Sequence, residues 1–398
     1  MKDTQIKKLI DAEKKRQKSV INLIASENVV SSDVLEALGS ELTNKYAEGY
    51  PRARYYGGNQ VVDKIEELCK ERALTLFGLS ADEWHVNVQP LSGSPANLAV
   101  YVALVPQGGK IMGMSLDHGG HLTHGHKVSA TGKFWTQVPY GLDKDTELIN
   151  YGALKELALR ERPAIIVGGY TAYTRVVDFK KLREIADACG ALLMIDMSHF
   201  AGLVAGKAYP SPFAYADVVT TTVHKTLRGP RSALIFSKKD TRDLPKKIDK
   251  AVFPGLQGGP HLNQIAAVAV ALKEAAAPAF KKYAVQVKKN AAVLAQELSN
   301  KGWKIISGGT DSHLVLVDTW MGGQKNAKGA GAIPGKIASD ALEKAGIIVN
   351  KNAIPFDARP PADPSGIRLG SAAETTRGKK EKDFKKIAEK IDAVLKRL

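Results

Sequence analysis

An apolar run, Leu192-Leu193-Met194-Ile195, ends in Asp196 and continues as Met197-Ser198-His199. A second run, Val218-Val219-Thr220-Thr221-Thr222-Val223, leads into His224 and Lys225. Two such strands in one sheet deliver a carboxylate and an amine to the same edge. An amine forms an imine with an aldehyde, and a carboxylate pairs with a protonated pyridine nitrogen. That combination suits pyridoxal phosphate, whose ring then serves as an electron sink for carbanion chemistry. Taken singly, Asp196 reads as a helix cap and Lys225 as a surface charge, so a phosphate site is needed to join them.

Ser92-Gly93-Ser94-Pro95-Ala96-Asn97 supplies one. Ser94 suits a helix N-cap and Pro95 the first helical position. Gly93 lets the backbone approach closely, so amides and hydroxyls converge on an anion at the helix start. No Walker A or G-x-G-x-x-G element competes for a nucleotide. His118, His121, His124 and His126 crowd one Gly-rich stretch. Clustered histidines invite a metal, but no Cys lies nearby, and the glycines suit a loop crossing a flat ligand with a His ring stacked on it.

Two segments carry more polar and aromatic groups than packing requires, Asn22 to Asn28 and Asn44 to Gly58. The first holds Ser26, the second Tyr46, Glu48, Tyr55 and Tyr56. Late in the chain, Arg368 sits between Ile367 and Leu369. A half-buried guanidinium needs an anionic partner, and its fork matches a carboxylate.

Positioning these groups requires a sheet. From about 60 to 240, short apolar runs at 110–114, 134–138, 164–167, 192–196, 217–222 and 233–237 alternate with helical patterns at 96–104, 151–160 and 179–188. This order predicts a mostly parallel sheet covered on both faces, with ligands at the carboxyl ends of its strands. Beyond His261 helices dominate. Ala284, Val287, Ala291, Leu294, Ala295 and Leu298 share one stripe, as do Phe384, Ile387, Ile391, Val394, Leu395 and Leu398. With a strand at 313–318, they predict a smaller α+β domain, and Met321 to Pro334 reads as an exposed loop. The expected division is an N-terminal arm with helices at 1–45, a large α/β domain at 46–280 and a small α+β domain at 281–398.

The chain has 398 residues, 44% apolar and 25% charged. No apolar run reaches the roughly 18 residues of a membrane span. The N-terminus is Lys-rich without an apolar signal core, and Cys69 and Cys189 offer neither metal spacing nor a disulfide framework. A cytoplasmic protein is expected. The net charge of +16 fits a Lys-rich solvated surface better than nucleic-acid binding, because the basic residues are not interleaved with aromatics.

The chain resembles the serine hydroxymethyltransferase family from about Ile21 to Gly378. The similarity rests on Leu-Ile-Ala-Ser26-Glu-Asn, Tyr46-Ala-Glu-Gly-Tyr-Pro, Arg-Tyr55-Tyr-Gly-Gly, Gly-Gly-His121-Leu-Thr-His-Gly, His224-Lys-Thr-Leu-Arg-Gly-Pro-Arg, Phe-Pro-Gly-Leu-Gln-Gly258-Gly-Pro-His and Val-Asn-Lys-Asn352. The resemblance implies a fold-type I pyridoxal-phosphate transferase with a mostly parallel seven-stranded sheet. It implies transfer of the serine hydroxymethyl carbon to tetrahydrofolate, giving glycine and 5,10-methylenetetrahydrofolate by way of an aldimine and a quinonoid.

It also implies roles. Lys225 carries pyridoxal 5'-phosphate, Asp196 pairs with its ring nitrogen and His121 stacks on its face. Ser92, Gly93 and Ser94 hold the phosphate, Thr171 and His199 contact the cofactor, and Thr222 and His224 flank the lysine. Arg231 supports the site electrostatically. Arg368 and Ser26 take the amino-acid carboxylate, Glu48 is the acid/base at the hydroxymethyl group and the folate, Tyr56 assists near the reacting carbon, and Tyr55 belongs with the substrate-binding residues. Gly120, Leu122 and Asn352 match pterin contacts. Tyr46, Gly258 and Gly259 match positions given by a neighbouring subunit to the phosphate, implying a homodimer with shared sites or a dimer of dimers.

Departures from the family pattern are Val223, Ser232-Ala233, Tyr170-Thr171, Ala362-Asp363-Pro364 and Ser371-Ala372-Ala373. They leave the cofactor assignment intact and bear on amino-acid preference and folate affinity. A folate-independent aldolase for threonine-type β-hydroxy amino acids is the alternative, and the Glu48 and Asn352 segments argue against it.

Overall fold

The computed structural model describes residues 1–398. Seven strands form the main sheet: β1 Trp84–Asn87, β2 Lys110–Met114, β3 Thr136–Tyr140, β4 Ile165–Gly169, β5 Leu192–Asp196, β6 Val218–Thr222 and β7 Ala233–Lys238. Their order is β1-β7-β6-β5-β4-β2-β3. Only β7 runs antiparallel to its neighbours; the other pairs are parallel. Ile165, Ile166, Leu193, Met194 and Ile195 are fully buried, as strands covered on both faces must be. Register then places Asp196 beside Gly169 and Thr220. A Cβ on Gly169 would fall 2.2 Å from Asp196 O, and its φ is +126°, so only glycine fits against the carboxylate's own backbone.

Several sequence expectations shift. β1 is not marked in the sequence, because its four residues include His85 and Asn87 and show no long apolar run. β3 begins two residues later than 134, because a short helix, Ala130–Phe134, precedes it. The N-cap position of the helix Gly93–Leu104 is Ser92, not Ser94, and its side chain makes no capping bond. Pro95 is therefore its third residue, still within the first turn, where an N–H has no helical partner to lose.

A second, antiparallel sheet comprises β8 Lys304–Ile305, β9 Leu314–Asp318, β10 Asn350–Asn352 and β11 Gly366–Gly370, in the order β8-β9-β11-β10. The stripe Ala284 to Leu298 on the helix Pro278–Asn300 is buried. On the last helix Phe384, Ile387, Ile391 and Leu395 are buried, but Leu398 is 51% exposed beyond the helix end. Residues 321–334 are not a free loop: Ala330 and Ile333 are buried, and Thr319 Oγ1 donates to Ile333 O at 2.8 Å. Ile21–Asn22 pairs in parallel with Ile347–Ile348, and Leu23 enters the small unit's core. This pairing carries Ser26 towards the main sheet. The helix Thr4–Ser19 has no buried residue.

Candidate active site

A cavity of about 290 Å³ opens at the carboxyl ends of β5 and β6. Ser26, Ser92, Gly93, Ser94, His121, Thr171, Asp196, His199, Thr222, His224, Lys225 and Arg231 all line it. The structure thus gathers twelve of the residues read from sequence into one polar chamber.

Lys225 Nζ donates to Thr222 Oγ1 at 3.2 Å. Burial lowers its pKa to about 8, Asp196 opposes that shift, and the charges of Arg368 and Arg231 add to it. Near neutrality far more of this amine is neutral than of an ordinary lysine, which favours its acting as a nucleophile. Asp196 takes the opposite course. Burial alone would raise its pKa, but hydrogen bonds from His124, Ser198 and Asn97 prevail and hold the carboxyl well below the usual range. Its Oδ2 accepts from Asn97 Nδ2 at 2.9 Å and lies 3.2 Å from His124 Nε2. Oδ1 accepts from the Ser198 amide at 3.1 Å. The result is a fixed anion.

His121 Nδ1 accepts from the Thr123 amide at 3.1 Å, which leaves the ring's proton on Nε2. Burial, with His124 nearby, lowers its pKa to about 4, so the ring is neutral and suited to stacking. His224 has a buried Nδ1 without a partner, and burial followed by Lys225 lowers its pKa to about 3.

At the start of the helix Gly93–Leu104, the Ser92 side chain makes no capping bond, so its hydroxyl is free for a ligand. A Cβ on Gly93 would lie 2.6 Å from Thr222 Cγ2; glycine lets the helix start meet the strand end. Amide donors at a helix N-terminus, free hydroxyls, a partly neutral lysine and a fixed carboxylate together fit a phosphorylated pyridine aldehyde.

Arg368, on β11, donates from Nε to Asn350 Oδ1 at 3.1 Å and from Nη1 to Thr171 O at 2.8 Å. Both acceptors are neutral, and no carboxylate pairs with it. Burial lowers its pKa to about 10, so it stays a cation awaiting an anion. Thr171 Oγ1 donates to Gly120 O at 2.8 Å. A Cβ on Gly120 would fall 2.0 Å from Met114 O. Leu122 lines a neighbouring, more apolar cleft that shares Ser94 and His121 with the chamber. Asn352 stands on β10, outside both, with Nδ2 on Ala353 O at 2.7 Å.

Tyr46, Glu48, Tyr55, Tyr56, Gly258 and Gly259 do not line the chamber. They gather elsewhere. The Tyr46 ring lies against Gly259, where a Cβ would be 3.1 Å away. Tyr46 OH donates to Glu48 Oε1 at 3.3 Å, and Tyr46 and Tyr56 meet edge to face at 5.2 Å. Tyr55 is 75% exposed and Tyr46 54%.

Sequence reasoning gave no role to Asn97, His124, Ser198 or His313. Asn97 lies one turn into the helix Gly93–Leu104, a spacing that could have marked it as facing the same chamber as the helix start. His124 stood in the histidine cluster, where only the fold reveals that it serves Asp196. Ser198 Oγ accepts from the Thr222 amide at 2.9 Å, tying β5 to β6. His313 arrives from the small unit and carries no local motif.

A family model described as "Serine hydroxymethyltransferase" matches residues 1–391. Serine hydroxymethyltransferase of Desulfotalea psychrophila is 56% identical over 376 residues, spanning 94% of this chain and 84% of the relative. That of Koribacter versatilis is 54% identical over 385 residues, 97% of this chain and 87% of the relative. That of Acidobacterium capsulatum is 53% identical over 393 residues, 99% and 88% respectively.

Proposed function

The chain belongs to the serine hydroxymethyltransferase family, and from that premise we infer which of its residues perform the family's reaction. It is a pyridoxal-phosphate-dependent transferase that interconverts serine and glycine with tetrahydrofolate as co-substrate. The observation that carries the assignment of roles is the single chamber holding Lys225, Asp196 and an uncapped helix start. When bound, the cofactor supplies a conjugated electron sink at the substrate's α-carbon.

With pyridoxal phosphate in place, Lys225 would offer its amine to the aldehyde carbon, oriented by Thr222. Asp196 keeps a ring nitrogen protonated. Ser92, Gly93 and Ser94 would hold the phosphate, His121 would stack on the ring, and His199, His224 and Thr171 would be the further residues lining its site. Arg231 adds positive charge. Arg368, lacking any carboxylate of its own, receives the amino-acid carboxylate with Ser26. Gly120, Leu122 and Asn352 receive the pterin, a reading supported by the apolar cleft at Leu122.

Glu48, Tyr55 and Tyr56 act at the hydroxymethyl carbon, but in the chamber of a second copy, where Tyr46, Gly258 and Gly259 reach the phosphate. The exposure of Tyr46, Tyr55 and Tyr56 and the separation of the whole group from the chamber of its own chain support this dimer, as does the wholly exposed first helix. No helix is long and apolar enough to cross a membrane, and the free thiols Cys69 and Cys189 accord with a reducing, cytoplasmic setting.

Absorption spectroscopy of the purified protein with added pyridoxal phosphate tests the assignment. A visible band present in the wild type and absent in Lys225→Ala is expected. Serine cleavage that tetrahydrofolate fails to stimulate would favour the folate-independent aldolase.

A further inference from the structure

His313 is fully buried just before β9, in the small unit, yet its ring stacks on His199 of the chamber, with centroids 5.4 Å apart. Its Nε2 lies 3.1 Å from Ala25 O and 3.3 Å from His199 Nδ1. A carbonyl oxygen only accepts, so His313 Nε2 must carry hydrogen. His313 Nδ1 is buried without a partner, which is tolerable for a bare lone pair and costly for a second N–H. The ring is therefore neutral, in agreement with a pKa that burial, and then Arg368, lowers to about 3.

The consequence falls on His199. Its Nδ1 faces the His313 N–H, so it cannot also bear hydrogen. Burial and the cations Lys225 and Arg368 keep His199 itself neutral. A neutral imidazole with a bare Nδ1 holds its one proton on Nε2.

We propose that His313 is a positioning residue that fixes His199 as the Nε2–H tautomer, so that His199 presents a hydrogen-bond donor to the cofactor. The His313 N–H is shared between His199 Nδ1 and Ala25 O, beside Ser26, and so links His199 to the segment assigned to the substrate carboxylate. His313 O in turn accepts from Ser371 N at 2.9 Å and Ser371 Oγ at 3.2 Å, which locks the residue into the turn after Arg368's strand.

The proposal rests on the functional reading above only for the identity of the ligand; the tautomer itself is a property of the chain. Two measurements separate them. Long-range proton–nitrogen NMR of the histidine rings, on the full chain without cofactor, reads the His199 tautomer directly. The wild type is expected to show only the Nε2–H form, and His313→Phe a mixture. A mixture in the wild type, or no change in His313→Phe, overturns the proposal.

Pyridoxal-phosphate titration is the second arm. His313→Phe should bind roughly tenfold more weakly than the wild type, the effect of one hydrogen bond to a charged group. His313→Gln keeps an Nε2 donor and should restore most of that loss. Equal weakening in both variants overturns the proposal in favour of simple packing. A wild-type protein that binds no pyridoxal phosphate would instead overturn the functional reading, with the tautomer still decided by NMR.

Discussion

The Asn97 amide donates to Asp196 Oδ2 at 2.9 Å, from one turn beyond the helix start that opens on the chamber. The same amide donates to Thr123 Oγ1 at 2.9 Å, and Asn97 Oδ1 accepts from Thr220 Oγ1 at 2.7 Å. One side chain thus joins the strand-end acid, the loop that orients His121 and the strand leading to Lys225. Asn97→Ala should leave several buried polar groups unpaired and cost about 1–3 kcal/mol of stability, measured by urea unfolding. It should also weaken cofactor binding, because Asp196 loses a donor that favours its anion. A variant with unchanged unfolding and unchanged pyridoxal-phosphate affinity would remove Asn97 from the site.

The amine of Lys225 must be neutral to attack an aldehyde, and its pKa is lowered to about 8. Covalent capture of pyridoxal phosphate should therefore accelerate as pH rises, with a midpoint near that value rather than near the ordinary lysine value. Borohydride trapping followed by peptide mapping checks both rate and site. A flat pH profile, or trapping at another lysine, would contradict the assignment. Lys225→Ala should trap nothing at this position.

Acid should act on stability through the buried imidazoles. The folded pKa of His313 is about 3, against an ordinary 6.5, so as pH falls below 6.5 the unfolded chain binds a proton that the folded chain refuses. Stability falls with pH over that window, by about 1.4 kcal/mol per pH unit for this group alone. His313→Gln removes the effect. Its unfolding free energy should decline less steeply than the wild type's between pH 6.5 and 4, measured by urea unfolding at stepped pH.

How much of this was legible beforehand divides along physical lines. Strand β5 is readable because burial on both faces writes a continuous apolar run, and β6 because its Val and Thr residues are all β-branched; Asp196 and the nearby Lys225 stand out against them. β1 was not, since His85 and Asn87 break the run and side-chain bonds to Asp249 and Tyr50 hold it instead. The helix start was read at Ser94 because Pro95 favours the first turn without specifying which residue of it. The contribution of His313 was illegible for another reason: it depends on a contact between units distant in sequence, and no spacing records that.

Arg368 makes hydrogen bonds only to neutral acceptors, Asn350 Oδ1 and Thr171 O, while sitting close enough to Lys225 to lower its pKa. A cation in that position repels the amine and attracts a carboxylate. Arg368→Lys keeps the charge but loses the planar fork. It should lower kcat/KM for serine at least about a hundredfold, the effect of two charge-assisted hydrogen bonds, with little change in pyridoxal-phosphate affinity. Equal losses in cofactor and serine binding would mean that Arg368 supports the fold rather than the substrate.

Glu48 and Lys225 belong to separate clusters of one chain, and this separation makes the shared-site dimer testable without a structure of the pair. If each complete site draws Lys225 from one chain and Glu48 from its partner, then Lys225→Ala and Glu48→Gln are each inactive alone. Mixed under conditions that exchange subunits, they form heterodimers in which one site carries both lesions and the other carries neither. Random pairing makes half the dimers mixed, each with one native site of two, so tetrahydrofolate-dependent serine cleavage should recover to about a quarter of the wild-type value. Sites built within one chain predict no recovery, because every chain in the mixture carries a lesion. Steady-state assay before and after exchange, with size-exclusion chromatography confirming dimers, distinguishes the two outcomes.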